Sequence, residues 1–466
     1  MASTDSTLMT ISDLDAADLF PINRLSPDIL AEIFTFCPPR LGESSYLSTT
    51  SRLTAPLLLC NVCSSWRALA VSTPRLWQTL DLIVDLYAKP TLDPEFLVSG
   101  IRTWLGRSGS LPLTIRFSFY KHDDIMPPKY WPAFEALLQY ASRWESVEFH
   151  AERGIPWPNL GALPILRAID VHDSDVDGIP FTSAPRLKSL TLLSCPFSST
   201  SVLAVPWKQL TEVTICREQT PLMVLELFLR CSQLESLKLT IGNSDFQGTL
   251  NSPKIKHTTL RRLVFRFTND FRATVLDSIT LPALTELSLY NDTFGSGGSW
   301  CSQLLDLFTR SNCKLQTLSL RHPGFRPTQL LECLEHECCQ SLTLLEIEGE
   351  ESALPIFNNE LLVRLTYSED NDKTFLCPKL ADLDLIKCYC SETASPDSLG
   401  RMVQSRCFGR AQDEQLKSLN IITCHPLSKE DYALLHFTMY SGGLEFFYTT
   451  FAVTPRGYDP EIDLDD

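Results

Sequence analysis

Leu284-Thr285-Glu286-Leu287-Ser288-Leu289, Leu315-Gln316-Thr317-Leu318-Ser319-Leu320 and Leu342-Thr343-Leu344-Leu345-Glu346-Ile347 follow one pattern: Leu, two residues, an aliphatic, one residue, a second apolar residue. The last two apolar positions are two residues apart, so in a strand they share one face while the residues between them face the other way. The same string occurs at Leu166/Ile169/Val171, Leu187/Leu190/Leu192, Leu210/Val213/Ile215, Leu234/Leu237/Leu239 and Leu260/Leu263/Phe265. It returns at Leu362/Leu365/Tyr367, Leu380/Leu383/Leu385 and Leu416/Leu419/Ile421, and Trp144/Val147/Phe149 is a degenerate first copy.

Successive starts from Leu166 lie 21, 23, 24, 26 and 24 residues apart. Several copies share a Pro-containing lead-in, as in Ala184-Pro185-Arg186, Leu281-Pro282-Ala283 and Cys377-Pro378-Lys379. This is the period of a leucine-rich repeat, in which each unit adds one short strand to a parallel sheet and returns by a helix or loop. Return helices are expected at 221–230, 300–311, 327–338 and 396–407; Leu222/Leu225/Leu227 follows Thr220-Pro221 and reads as helix despite its spacing. Cys195, Cys388 and Cys424 stand three residues beyond the last apolar position, where the repeat places a side chain that bonds the turn backbone. The predicted class is α/β: a small N-terminal helical unit followed by an irregular solenoid.

Upstream, Ser26 suits a helix cap, Pro27 a first helical position and Asp28 the positive end of the helix dipole. Leu25, Ile29, Leu30, Ile33 and Phe34 follow at helical spacing. A second helix is expected from Ala55-Pro56, carrying Leu59, Val62, Cys63, Trp66 and Leu69, then a strand over 80–84. Further helices at 95–107 and 132–142 bracket a strand with Leu113, Ile115, Phe117 and Phe119.

Three separated clusters sharpen this reading. Phe20-Pro21-Ile22-Asn23-Arg24-Leu25-Ser26-Pro27-Asp28-Ile29-Leu30-Ala31-Glu32-Ile33-Phe34 resembles the opening of an F-box. Leu58-Leu59-Cys60-Asn61-Val62-Cys63-Ser64-Ser65-Trp66-Arg67-Ala68-Leu69-Ala70 resembles its second half, and Thr73-Pro74-Arg75-Leu76-Trp77 its closing segment. The long segment 38–55 separates the halves. The resemblance implies docking on an SKP-type adaptor of a cullin–RING ubiquitin ligase, with the remainder recruiting a protein substrate. It makes Leu25, Pro27, Ile29, Leu30, Ile33, Phe34, Val62, Cys63 and Trp66 the expected adaptor-facing residues, in the manner of a helix in a groove. The expected organisation is a disordered 1–19, an F-box-like 20–82, a connecting 83–143, a repeat region 144–450 and an acidic tail 451–466.

Composition fits such a non-catalytic binding protein. With 40 Lys+Arg against 56 Asp+Glu the net charge is −16, which opposes binding along a nucleic-acid backbone. No apolar run spans a bilayer and the first 20 residues lack Lys and Arg, so a cytoplasmic and/or nuclear protein without membrane partners is expected, its 16 Cys reduced.

Asp173-Ser174-Asp175-Val176-Asp177-Gly178 begins like a calcium loop but has Ala184 where the closing Glu belongs. Cys60 and Cys63 lack a second ligand pair; His336-Glu337-Cys338-Cys339 and Cys388-Tyr389-Cys390 read as packing residues. Gly295-Ser296-Gly297-Gly298 lacks the Lys of a phosphate loop. No catalytic residue, metal or cofactor is assigned. Outward strand positions instead suggest a concave face with a basic centre, Arg262, Arg266 and Arg321, and an acidic end, Glu346, Glu348, Asp382 and Asp384. Alternatives to the ligase adaptor are an interaction scaffold whose helices only cap the solenoid, a small-molecule receptor using the concave face, and an enzyme with a dispersed site.

Overall fold

The structure is a computed structural model that describes residues 21–38, 50–86, 93–120, 126–150, 160–172, 183–193, 205–242, 254–268, 275–292, 300–349, 356–368, 375–389, 394–408, 411, 414–423 and 426–450. The expectations for 1–19 and 451–466, the calcium-like stretch, the glycine cluster, Cys195, Cys390 and Cys424 lie outside these residues. The class is mixed α/β with extensive parallel sheet. The chain divides into two compact units, Met1–Pro206 and Trp207–Asp466.

The first unit opens with helix α1, Pro27–Thr35, whose cap Ser26 accepts a hydrogen bond from the Ile29 N–H at 3.4 Å. The single second helix expected from the sequence is two, α2 (Leu57–Val62) and α3 (Ser64–Ser72). The break lies at Cys63, which is extended and whose sulfur accepts from the Trp66 N–H, making it the cap of α3. Arg67 Nε closes the other side by donating to the Cys60 carbonyl at 2.7 Å. Trp77 is fully buried; its indole N–H donates to the Ala70 carbonyl at 2.8 Å and its ring meets Trp104 edge-on at 4.8 Å. It thereby ties the helices to a sheet of β1 (Thr79–Asp85), β2 (Leu113–Tyr120), β3 (Trp144–His150), β4 (Ala168–His172) and β5 (Ser189–Leu192). Each strand pairs in parallel with the next. Helices α4 (Pro94–Arg107) and α5 (Trp131–Leu138) pack together beside it.

The second unit repeats the same construction. Besides a short pair, Ile255–Lys256 with Ile279–Thr280, the strands of its main sheet are β6 (Glu212–Gln219), β7 (Ser236–Ile241), β8 (Arg262–Phe267), β9 (Glu286–Asn291), β10 (Thr317–Arg321), β11 (Leu344–Glu348), β12 (Asp382–Ile386), β13 (Ser418–Thr423) and β14 (Glu445–Thr450). Every neighbouring pair is parallel and in chain order. Helices intervene as α6 (Pro221–Arg230), α7 (Cys301–Ser311), α8 (Pro327–Glu335), α9 (Asn359–Leu365), α10 (Ser398–Cys407) and α11 (Lys429–Gly442). The helix expectations at 221–230, 300–311, 327–338 and 396–407 thus hold, with ends trimmed by up to three residues.

The motif's spacing has a direct structural cause. Before the strand, a tight turn bonds the first Leu N–H back three residues: Leu284 to Leu281, Leu342 to Cys339 and Leu380 to Cys377, at 3.1–3.2 Å. Proline after Leu281 and Cys377 presets the dihedral such a turn needs. The chain then joins the ladder through the Gln316 N–H to Thr285, Thr343 to Gln316, Ala381 to Thr343 and Lys417 to Ala381. The register puts Leu263, Leu287, Leu318, Leu345, Leu383 and Leu419 on one buried line. Each such leucine stabilises the fold by about 1.5–3 kcal/mol through burial.

One motif copy is overturned: Leu362 and Leu365 lie in helix α9, not in a strand. A three-residue separation also puts two leucines on one helix face. Here the flanks decide for the helix: the Asn358 side chain accepts from the Leu361 N–H at 3.0 Å. At the other end the fully buried Arg406 donates to the carbonyls of Leu365, Leu376 and Cys377. The buried Cys388 thiol donates to the Ile347 carbonyl of the neighbouring strand at 3.3 Å. No helix among the described residues is long and apolar enough to cross a membrane.

Candidate functional site

Two surfaces carry the sequence-expected residues, one in each unit. In the first, α1 is apolar on two sides. Leu30 and Phe34 turn inward, Phe34 only 1% exposed and its ring tilted against that of Trp66 with centroids 4.8 Å apart. The expectation that these two face an adaptor is corrected: their side chains fill the small core between α1 and α3. Helical geometry sets Ile29 and Ile33 on the other side, four residues apart, and Leu25 stands just before the helix cap. These remain exposed, Ile29 by 53%, with Ile22 and Phe36 continuing the same face. On α2, Leu59 and Cys60 are buried while Leu58 and Val62, one turn apart, stay open, Val62 by 54%. Pro27 and Cys63 are exposed and Trp66 is half-buried. Hydrogen bonds from Ser65 and from the Trp66 N–H lower the Cys63 thiol below its ordinary value.

In the second unit, the outward residues fall into three in-register lines across the sheet. One runs Arg262, Glu286, Thr317, Leu344, Asp382, Ser418; the third runs Arg266, Tyr290, Arg321, Glu348. The middle line is Lys238, Val264, Ser288, Ser319, Glu346, Asp384, Asn420. The arginines are matched within the chain. Arg262 meets Glu286 at 3.2 Å, Arg266 meets Asp292 at 2.5 Å, and Arg321 meets Glu346 at 3.1 Å and Glu348 at 3.4 Å. The expected basic centre is therefore corrected to a paired one, because adjacent strands bring carboxylates opposite the guanidiniums. The acidic end keeps its excess. Burial pushes the Asp384 carboxyl up to about 6, and Glu346 and Asp382 beside it add to the effect; Asp382 is raised too, chiefly by burial.

A third constellation escaped the sequence reading. Asp81, Arg116, Glu148 and Asp170 form one line across β1–β4, and His150 pairs in register with His172 beside it. Arg116 donates to Glu148 at 2.8 Å, His172 lies 3.0 Å from Asp170, and the two imidazoles stack at 3.8 Å. Burial alone would raise Glu148, but the hydrogen bonds from His150 and Arg116 outweigh it and hold the carboxyl at about 2. The signal was present as acid-x-His at outward positions in Glu148-Phe149-His150 and Asp170-Val171-His172. Among the described residues no group of three or more His, Cys, Asp or Glu is placed to hold a metal ion. Glu148 is matched by Arg116 and His150 and Asp170 by His172, while burial raises the Asp81 carboxyl at the edge of the line.

No protein-family profile matches this chain, and no curated protein matches it.

Proposed function

We propose that the chain is an F-box-like adaptor: a helical unit that docks on an SKP-type subunit of a cullin–RING ubiquitin ligase, followed by a leucine-rich-repeat solenoid that recruits a protein substrate. The observation that carries this reading is the double-sided α1. Its inner residues, Leu30 and Phe34, already hold the helices together, so Leu25, Ile29 and Ile33 add nothing to that core and stand open together with Val62 and Leu58. An apolar row of this kind on a short helix suits a groove on a partner. Ubiquitin transfer is assigned to other subunits, this chain contributing local concentration of substrate. The in-register strands, several of them preceded by the same turn, support the solenoid, and the acid-rich face supports a protein rather than a nucleic-acid cargo. The assembly is placed in the cytoplasm and/or nucleus.

The test is co-purification of the full chain with an SKP-type adaptor. Wild type is expected to retain the adaptor, and Ile29→Asp with Ile33→Asp to lose it while remaining folded by circular dichroism. Equal recovery with both chains would contradict the reading.

A further inference from the structure

The middle line of the second unit's sheet differs from its neighbours in two ways. Its central members, Val264, Ser288 and Ser319, are small, whereas the flanking lines carry Arg262, Glu286, Arg266, Tyr290 and Arg321. The floor of a trough is thereby walled by longer side chains, which are held in place by the Arg262–Glu286, Arg266–Asp292 and Arg321–Glu346 pairs and by Arg321 lying 4.8 Å over the Tyr290 ring. Beside Lys238 lies a groove of about 450 Å³, bordered by Arg217, Glu218, Val264, Arg266, Tyr290 and Asp292, the last paired with Arg266.

The second difference is charge. Lys238 at one end of the line and Asp384 at the other have no hydrogen bond or ion pair among the described residues, while the charges between them are matched. Glu346, next to Asp384, is occupied by Ser319 and Arg321, so it offers Asp384 only repulsion. On the far side the Asn420 Oδ1 is buried with no donor against it. Lys417 lies near Asp382 but no cation among the described residues acts on Asp384, so this end of the trough keeps a carboxylate without a counter-charge, and the other end presents a cation. A partly buried carboxylate without a counter-charge costs free energy that an arriving cation would recover.

Five strand steps separate Lys238 from Asp384, roughly 24 Å at ordinary strand spacing. That is too long for a small zwitterion and equals about seven residues of extended peptide. We propose that this trough binds an extended peptide segment of the recruited protein, lying across the strands, with an acidic residue at Lys238 and a Lys or Arg at Asp384, small or apolar residues between. The proposal rests on the substrate-recruiting reading of this face, but peptide binding by the isolated chain is independent of adaptor capture, so either can fail without the other.

The test uses fluorescence anisotropy of the full chain with three labelled eight-residue peptides: Glu-Glu at the amino end and Arg-Arg at the carboxyl end, the reverse, and a neutral peptide of the same Ser/Val/Ala centre. One charged polarity should bind at least tenfold more tightly than the other two. Lys238→Met and Asp384→Asn, which change no packing in the core, should each weaken it at least fivefold. The double swap Lys238→Glu with Asp384→Lys should invert the preference between polarities. Binding of none of the peptides, equal binding of charged and neutral peptides, or a preference unchanged by both single variants would overturn the proposal. If the swap does not fold by circular dichroism, the two single variants decide.

Discussion

Aliphatic side chains meet two fates in this protein. Those of the strand motif, such as Leu287, Leu318 and Leu345, are wholly removed from water, whereas Leu25, Ile29, Ile33 and Val62 on the N-terminal helices stay in contact with it. Residue type is the same; what differs is whether the chain supplies a second layer. A strand in the sheet has neighbours on both sides and a buried line of its own kind, while α1 meets α3 on only one of its apolar sides. The contrast separates residues that stabilise the fold from residues left for another molecule.

The largest effect should fall on the buried line. Leu318→Ala is expected to cost about 2–5 kcal/mol in chemical denaturation, since the closely packed sheet leaves a cavity. A cost under 1 kcal/mol would mean that the line is loosely packed.

Charged groups sharpen the same contrast. Glu148, closed on Arg116 and His150, has a folded value near 2, below its unfolded one, so its stabilisation is present above about pH 4 and is lost as pH falls toward 2. Glu148→Gln should therefore cost about 2–3 kcal/mol at pH 7 and nearly nothing at pH 2. Asp384 is the reverse case. Its folded value near 6 exceeds its unfolded one, so the fold loses stability as pH rises from about 4 to 6. Asp384→Asn is expected to stabilise by about 1–2 kcal/mol at pH 7, reduced for partial exposure, and to leave stability at pH 4 unchanged. Paired thermal melts, at pH 7 and 2 for the Glu148 variant and at pH 7 and 4 for the Asp384 variant, check both signs. The smallest effect belongs to the open helix face: Ile29→Ser and Ile33→Ser should each shift stability by no more than about 0.5 kcal/mol.

Much of the fold was legible because it is written in short-range pattern. A Leu that closes a Pro-containing turn, then alternation, fixes where Leu284, Leu287 and Leu289 go with little help from distant residues. Leu362 and Leu365 misled because their separation suits either a strand motif or a helix face, and Arg406, which holds the end of α9, lies 41 residues further on. The break at Cys63 was hidden because a thiol is an uncommon cap. At the candidate surfaces the sequence identified the outward positions but not their partners. Arg262 and Glu286, or Arg116 and Glu148, become neighbours only through the register of separate strands. For the same reason Lys238 was passed over: its lack of a partner is a property of the assembled sheet. Leu30 and Phe34 matched the resemblance in identity, and only packing against Trp66 shows which way Phe34 points.

The decisive measurement is adaptor capture by the Ile29→Asp, Ile33→Asp chain compared with wild type, read alongside thermal stability. Loss of the adaptor with an unchanged melting temperature is the expected result. Retention of the adaptor would contradict docking on this helix face, and an unfolded variant in which Ile29→Ser and Ile33→Ser also melt early would show that these side chains belong to the chain's own interior.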